Sequence, residues 1–193
     1  MIGLIGPEKE QKSMKKIAVK VELTDRGKAT LPLKYAGRKF GPEFKEFDRV
    51  FLPMNYKAAY GSATKSPKLI IRTTTANKKD THQLVFKRLM SDNTVIYYHT
   101  QVFDHVQLAH IVTHIGYEFY GQVNKIRSQV LAGDILISLD TIDDHETYYL
   151  KIERTLPDDA WGDVQELEDI LTSLDLDHMR RVQEYIEIEK RKG

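Results

Sequence analysis

Period-two alternation of apolar and polar residues recurs along most of this chain, and it limits how the chain can fold. In the first such segment, Val19, Val21 and Leu23 alternate with Lys20, Glu22 and Thr24. Alternation of this kind predicts a strand with one buried face. Further strands are expected over Phe47–Leu52, Leu69–Thr75, Gln83–Met90, Thr94–Phe103, Gln122–Val130, Ile135–Ile142 and Thr147–Thr155. Turn residues separate them: Asn77-Lys78-Lys79-Asp80, Ser91-Asp92-Asn93, Ala132-Gly133-Asp134 and Asp143-Asp144-His145. So many strands in an open sheet would leave edges to protect, and closure into a barrel removes them.

Helices are fewer. Asp104 to Gly116 reads as one, with Asp104 as N-cap, Gly116 just past its end, and Val106, Ala109, Val112 and Ile115 as its apolar stripe. A second starts near Asp163, whose spacing to Glu166 resembles a capping box, and carries Val164, Leu167, Ile170, Leu171 and Leu174 on one face. A last helix is expected from about Asp177 to the end, burying Met179, Val182 and Ile186. The stretch Asn55 to Pro67 reads as an exposed loop, and Asp25 to Gly41 as irregular. The expected fold is α+β, a closed antiparallel barrel with flanking helices.

The faces opposite the apolar ones carry charge on strand after strand: Lys20 and Glu22, Arg72, Lys87, Lys125 and Arg127, Asp140, and Lys151 and Glu153. A dry barrel interior would not look like this, because buried charge is costly unless paired. A lumen meeting water, an anion or a metal accounts for it. The chain as a whole is almost neutral, with 29 Lys+Arg against 28 Asp+Glu, so no global field points to nucleic acid or an anionic membrane. The absence of cysteine excludes disulfides, thiolate nucleophiles and Cys-ligated zinc, and fits a cytoplasmic protein. No apolar run approaches spanning length. Residues 1–15 read as a disordered extension and 16–193 as one domain.

Several strand motifs resemble those of the CYTH, or triphosphate tunnel, family. They are Leu69-Ile-Ile-Arg72, Leu84-Val-Phe-Lys87, Val123-Asn-Lys-Ile-Arg127, Ile137-Ser-Leu-Asp-Thr-Ile142 and Tyr149-Leu-Lys-Ile-Glu-Arg154, followed by a capped helix. The resemblance runs from Lys16 to Glu187. It implies an eight-stranded tunnel that binds a triphosphate-containing small molecule. In that reading Lys20, Arg72, Lys87, Lys125 and Arg127 hold phosphates. Glu22, Asp140 and Glu153 hold Mg²⁺ or Mn²⁺, with Glu22 and Glu153 as the catalytic carboxylates. Phosphoryl chemistry suits such a site because it needs charge neutralisation and positioning more than covalent catalysis.

Departures from the family pattern keep alternatives open. The first-strand E-x-E-x-K reads Lys20-Val-Glu22-Leu-Thr24, and the first arginine of L-R-I-R has become Ile70. The R-x-E-x-E strand reads Val95-Ile-Tyr97-Tyr-His99, and E-I-E reads Lys151-Ile-Glu153. Cations therefore outnumber carboxylates on the expected inner face, which favours an anion and weakens metal binding. A triphosphatase, a non-catalytic sensor of nucleotide or polyphosphate, and a protein-binding scaffold all fit, as monomer or homodimer. Three other features read as surface or packing. These are the pair His110 and His114, the tail Glu187-Ile-Glu189-Lys-Arg191 on a helix end, and the single Trp161.

Overall fold

Each of eight strands hydrogen-bonds to two neighbours, and the circuit has no free end. The strands are β1 (Met14–Leu23), β2 (Phe44–Pro53), β3 (Lys68–Ala76), β4 (Lys79–Ser91), β5 (Thr94–Val102), β6 (Tyr117–Ala132), β7 (Ile135–Ile142) and β8 (Tyr148–Leu156). They close in the order β1-β5-β4-β3-β2-β6-β7-β8, all antiparallel. Among the described residues three helices accompany them: α1 (Tyr56–Tyr60), α2 (His105–His114) and α3 (Gln165–Ser173). This computed structural model describes residues 14–23, 25, 37, 39–91, 94–142, 147–157 and 163–182. The expected closed α+β barrel is the observed one. β1 starts at Met14, so it takes in the last two residues of the extension expected to be disordered.

Local chemistry sets the turns. The β3–β4 hairpin needs positive φ at both central residues, Asn77 (51°) and Lys78 (63°), so its loop is two residues rather than four. Gly133 (φ 68°) turns β6 into β7. The side chain of Asp104 caps α2, accepting from the backbone N–H of Val106 and Gln107 at 3.0 and 2.9 Å.

Two cores lie outside the barrel wall. Ile17, Val19, Val21 and Leu23 of β1 join Ile137 and Leu139 of β7 and Leu150 and Ile152 of β8, and α3 covers them with Leu167, Leu171 and Leu174. The α3 stripe is the expected one. α2 covers Phe51 and Ile71 with Leu108, Ala109 and Val112. Its buried stripe is rotated from the expected one, because Val106 and Ile115 are exposed. The third core is inside the barrel. Val50, Leu52, Ile70, Val85, Val123, Ile142 and Tyr149 pack with Ala63 and Val182. The lumen is thus charged over one part of its length and apolar over the rest. Asn55 to Pro67 is more than an exposed loop: it contains α1 and buries Ala63 and Ser66.

The end of α3 departs most from expectation. Asp175 adopts φ 56°, Leu176 N–H bonds Leu171 C=O at 2.8 Å, and Asp175 N–H bonds Thr172 C=O at 3.0 Å. These paired bonds form a Schellman reversal, and the chain leaves the helix there. Residues 177–182 are not helical. Arg181 bridges to Val21, with Glu22 N–H donating to Arg180 C=O and Val182 N–H to Lys20 C=O, both at 3.0 Å. β5 pairs with β1 only over Met14–Ile17, so this strap satisfies backbone groups that the rest of β1 would leave open. Asp163 caps Gln165 N–H at 2.8 Å, but Glu166 does not complete a capping box; it pairs with Arg154 of β8. The Asp92-Asn93 and Asp143–His145 turns, Trp161, Ile186 and the Glu187–Arg191 tail lie outside the described residues.

Candidate functional site: a charged lumen

The charged part of the lumen is built from side chains two apart on neighbouring strands, which the pleat turns to the same face. On β2 these are Glu46 and Asp48. Register sets Asp48 opposite Arg72 of β3 and Glu46 opposite Lys125 of β6, while Arg127 lies opposite Asp140 of β7. The contacts follow. Arg72 grips Asp48 with Nε–Oδ1 at 2.7 Å and Nη2–Oδ2 at 2.8 Å, and Lys125 Nζ donates to Asp48 Oδ2 at 3.0 Å. Arg127 grips Asp140 with Nε–Oδ1 at 2.6 Å and Nη2–Oδ2 at 2.7 Å. Glu46 lies between the two guanidiniums, 3.3 Å from Arg72 Nη1 and 3.0 Å from Arg127 Nη1.

The facing wall comes from β1 and β8. Glu153 lies 2.5 Å from Lys151 Nζ and 2.9 Å from Lys16 Nζ. Lys20, only 9% exposed, holds its ammonium 4.4 Å from the centre of the Tyr149 ring. Tyr97 of β5, opposite Lys87 of β4, has Lys16 Nζ at 4.6 Å and Lys87 Nζ at 5.7 Å from its ring centre. Its phenol is raised above the usual tyrosine range by burial, opposed by Arg72 and Lys151 and reinforced by Glu46 and Glu153. Groups from β2, β3 and β8 therefore act on one hydroxyl, which stays protonated and able to donate. His99 is the next residue on this face, its ring 5.5 Å from that of Tyr97.

Burial by itself would push these carboxylates up, since it disfavours their charged form. The net shifts are downward. Arg72 and Lys125 hold Asp48 far below the ordinary range, Arg127 lowers Asp140, and Lys151 and Lys16 lower Glu153. Arg127 is raised in turn, because Asp140 and Glu46 outweigh its own burial. The unfolded chain binds protons on these three carboxyls near pH ~4, whereas the folded chain does not. Their contribution to stability is present above that value and is lost as pH falls below it. Urea unfolding followed from pH 7 to pH 3 is expected to show stability declining from about pH 5 downward; a flat profile would mean that the carboxylates are not held in this way.

All five expected phosphate-binding cations, Lys20, Arg72, Lys87, Lys125 and Arg127, are buried. Arg72, Lys125 and Arg127 meet in one network through Asp48 and Glu46, while Lys20 and Lys87 occupy other walls. The three expected metal ligands do not converge. Glu22 is opposite Tyr149, whereas Glu153 is opposite Ala18, four residues and ~13 Å further along the strands. Asp140 also lies opposite Tyr149, level with Glu22 but two strands over with β8 between them, and is gripped by Arg127. Glu22 lies 3.6 Å from Arg180 of the strap. Among the described residues, the one trio whose donor atoms reach a common point is Asp175, Asp177 and His178, on the surface. The lumen carboxylates therefore do not fit a divalent-metal site: each already faces a cation, and a metal would have to displace it. His110 and His114 are exposed, as expected.

Sequence reasoning missed Glu46, Asp48 and Lys16. Leaving Lys68 aside, the buried and half-buried lumen side chains among the described residues comprise seven cations and five carboxylates. The carboxylates are Glu22, Glu46, Asp48, Asp140 and Glu153. Lys68 ties down the loop before β3, donating to the carbonyls of Thr64 and Ser66 at 3.1 Å each.

This barrel has the triphosphate tunnel (CYTH) fold. No family model matches the sequence, and no curated protein is detectably similar. Solved structures are. PH1012 from Pyrococcus horikoshii superimposes with a TM-score of 0.71 at 18% identity, over 90% of this chain and 98% of that one. A candidate adenylate cyclase from Vibrio parahaemolyticus gives 0.69 at 17% identity, over 93% and 99%. HpAC1 from Hippeastrum, a candidate adenylyl cyclase with a dominant triphosphatase activity, gives 0.54 at 13% identity, over 92% and 96%. At these identities the likeness is one of fold. Among the described residues, no helix is long and apolar enough to cross a membrane.

Proposed function

We propose that the lumen binds a triphosphate-containing small molecule and serves as a binding site rather than a hydrolytic one. One observation carries this reading: buried cations exceed carboxylates around Tyr97 inside a closed barrel. Excess positive charge out of water is costly, and a polyanion compensates it. Arg72, Arg127 and Lys125 supply charge-assisted donors, and Tyr97 a neutral one. Inorganic, nucleoside and thiamine triphosphates share the part that such a wall grips. The triphosphatase activity of HpAC1 belongs to that protein, and its likeness in fold supports this reading.

Turnover is disfavoured by the state of Glu153. Two lysines hold this carboxylate ionised, which makes it a weak base, and Glu22 is turned to the strap. The test pairs calorimetric titration with tripolyphosphate against phosphate release from tripolyphosphate, ATP and thiamine triphosphate with Mg²⁺ or Mn²⁺. Saturable binding without release is expected. Metal-dependent release that disappears in Glu153→Gln would replace this reading with a triphosphatase. Absence of both would end the triphosphate reading and leave a scaffold.

A further inference from the structure

We infer that the lumen selects the metal-free polyanion, and that Mg²⁺ competes with the protein for the ligand instead of bridging the two. The inference rests on the binding reading above and adds the chemical form of the ligand. A site built for a metal–triphosphate complex offers carboxylates whose free oxygens face the ion. Here all five face cations from the protein itself: Glu22 faces Arg180, Glu46 and Asp48 face Arg72, Asp140 faces Arg127, and Glu153 faces Lys151. A divalent ion entering beside them would meet guanidinium and ammonium groups at close range, in surroundings where like charges repel strongly. It would also enlarge the positive excess that the ligand has to offset. A bare polyphosphate reduces that excess, and chelated Mg²⁺ removes two of the negative charges that it brings.

The same geometry fixes what Glu153 does. Its carboxylate neutralises Lys16 and Lys151, two cations that otherwise face the lumen, so it competes with the ligand for them. A metal-holding Glu153 would assist binding, whereas a counter-ion Glu153 opposes it.

The experiment is calorimetric titration of the full chain with tripolyphosphate in EDTA, then in millimolar Mg²⁺ with ionic strength matched by KCl, for the native chain and for Glu153→Gln. In EDTA, saturable binding is expected, weakened by about tenfold or more in Mg²⁺. Glu153→Gln is expected to bind several-fold more tightly than the native chain in EDTA. Binding that appears only with Mg²⁺, or a Glu153→Gln variant that loses affinity, would overturn the inference while leaving the triphosphate reading intact. Absence of binding in both buffers would overturn both.

Discussion

Asp48→Asn is expected to destabilise the fold by ~3–5 kcal/mol, the usual cost of removing one partner from a buried ion pair. Asp48 is fully buried and takes three hydrogen bonds from Arg72 and Lys125. The amide has the same shape but no charge, and one of its two ends donates instead of accepting. Two buried cations would then lose the counter-ion on which both converge. At this chain length the loss corresponds to a fall in Tm of about 10 °C or more. The exposed pair Glu168–Arg181 provides the control, since Glu168→Gln should cost ~0.5 kcal/mol or less. Thermal unfolding of both variants decides the matter: equal losses would mean that the Asp48 network does not organise the lumen. Tripolyphosphate should restore part of the stability of Asp48→Asn, because a ligand bound only by the folded state adds its own free energy.

The largest effect on binding is expected from the double variant Lys20→Met, Lys87→Met. Both ammoniums are buried over tyrosine rings, Lys20 over Tyr149 and Lys87 over Tyr97. Methionine keeps the aliphatic stem and removes the charge. A hydrogen bond to a charged group contributes ~1.5–3 kcal/mol, so losing two should weaken tripolyphosphate binding by about a hundredfold or more. Some stability is expected to be lost, since Lys20 also helps to hold Asp140 ionised, but the variant should still fold cooperatively. Calorimetry and thermal unfolding of one sample separate these outcomes. Unchanged affinity in a folded variant would remove β1 and β4 from the site.

The contrast between strands explains how far the sequence could be read. On β1, β7 and β8 most apolar residues face α3 and most charged ones face the lumen, so period two is visible, although Ile142 and Tyr149 turn inward and Arg154 outward. β2 mixes both faces: Glu46 and Asp48 share the inner one with Val50 and Leu52, while Lys45 and Arg49 share the outer one with Phe47 and Phe51. Alternation is lost there, and with it the two carboxylates that organise the arginines. Partner choice was hidden for another reason. Asp48 and Lys125 are 77 positions apart, and only the closed barrel brings them together. The reversal after α3 had no signal either, because its left-handed residue is Asp175 where a glycine would have marked a stop. The family resemblance pointed to buried cations of the candidate site, but it also gave Glu22, Asp140 and Glu153 a common purpose, whereas Glu153 lies four residues along the barrel from the level of the other two and each of the three faces its own cation.

The strap at residues 177–182 has a consequence for the order of assembly. Of the eight strands β1 is made first, yet most of its length pairs with β8, and its Glu22 N–H and Lys20 C=O bond to Arg180 and Val182. A nascent chain leaving the ribosome therefore carries its oldest strand without these partners until almost all of the described sequence has emerged. Contacts of such long sequence separation make for slow closure. The charged lumen, with its arginines and carboxylates, stays open to water until that last seam is sewn.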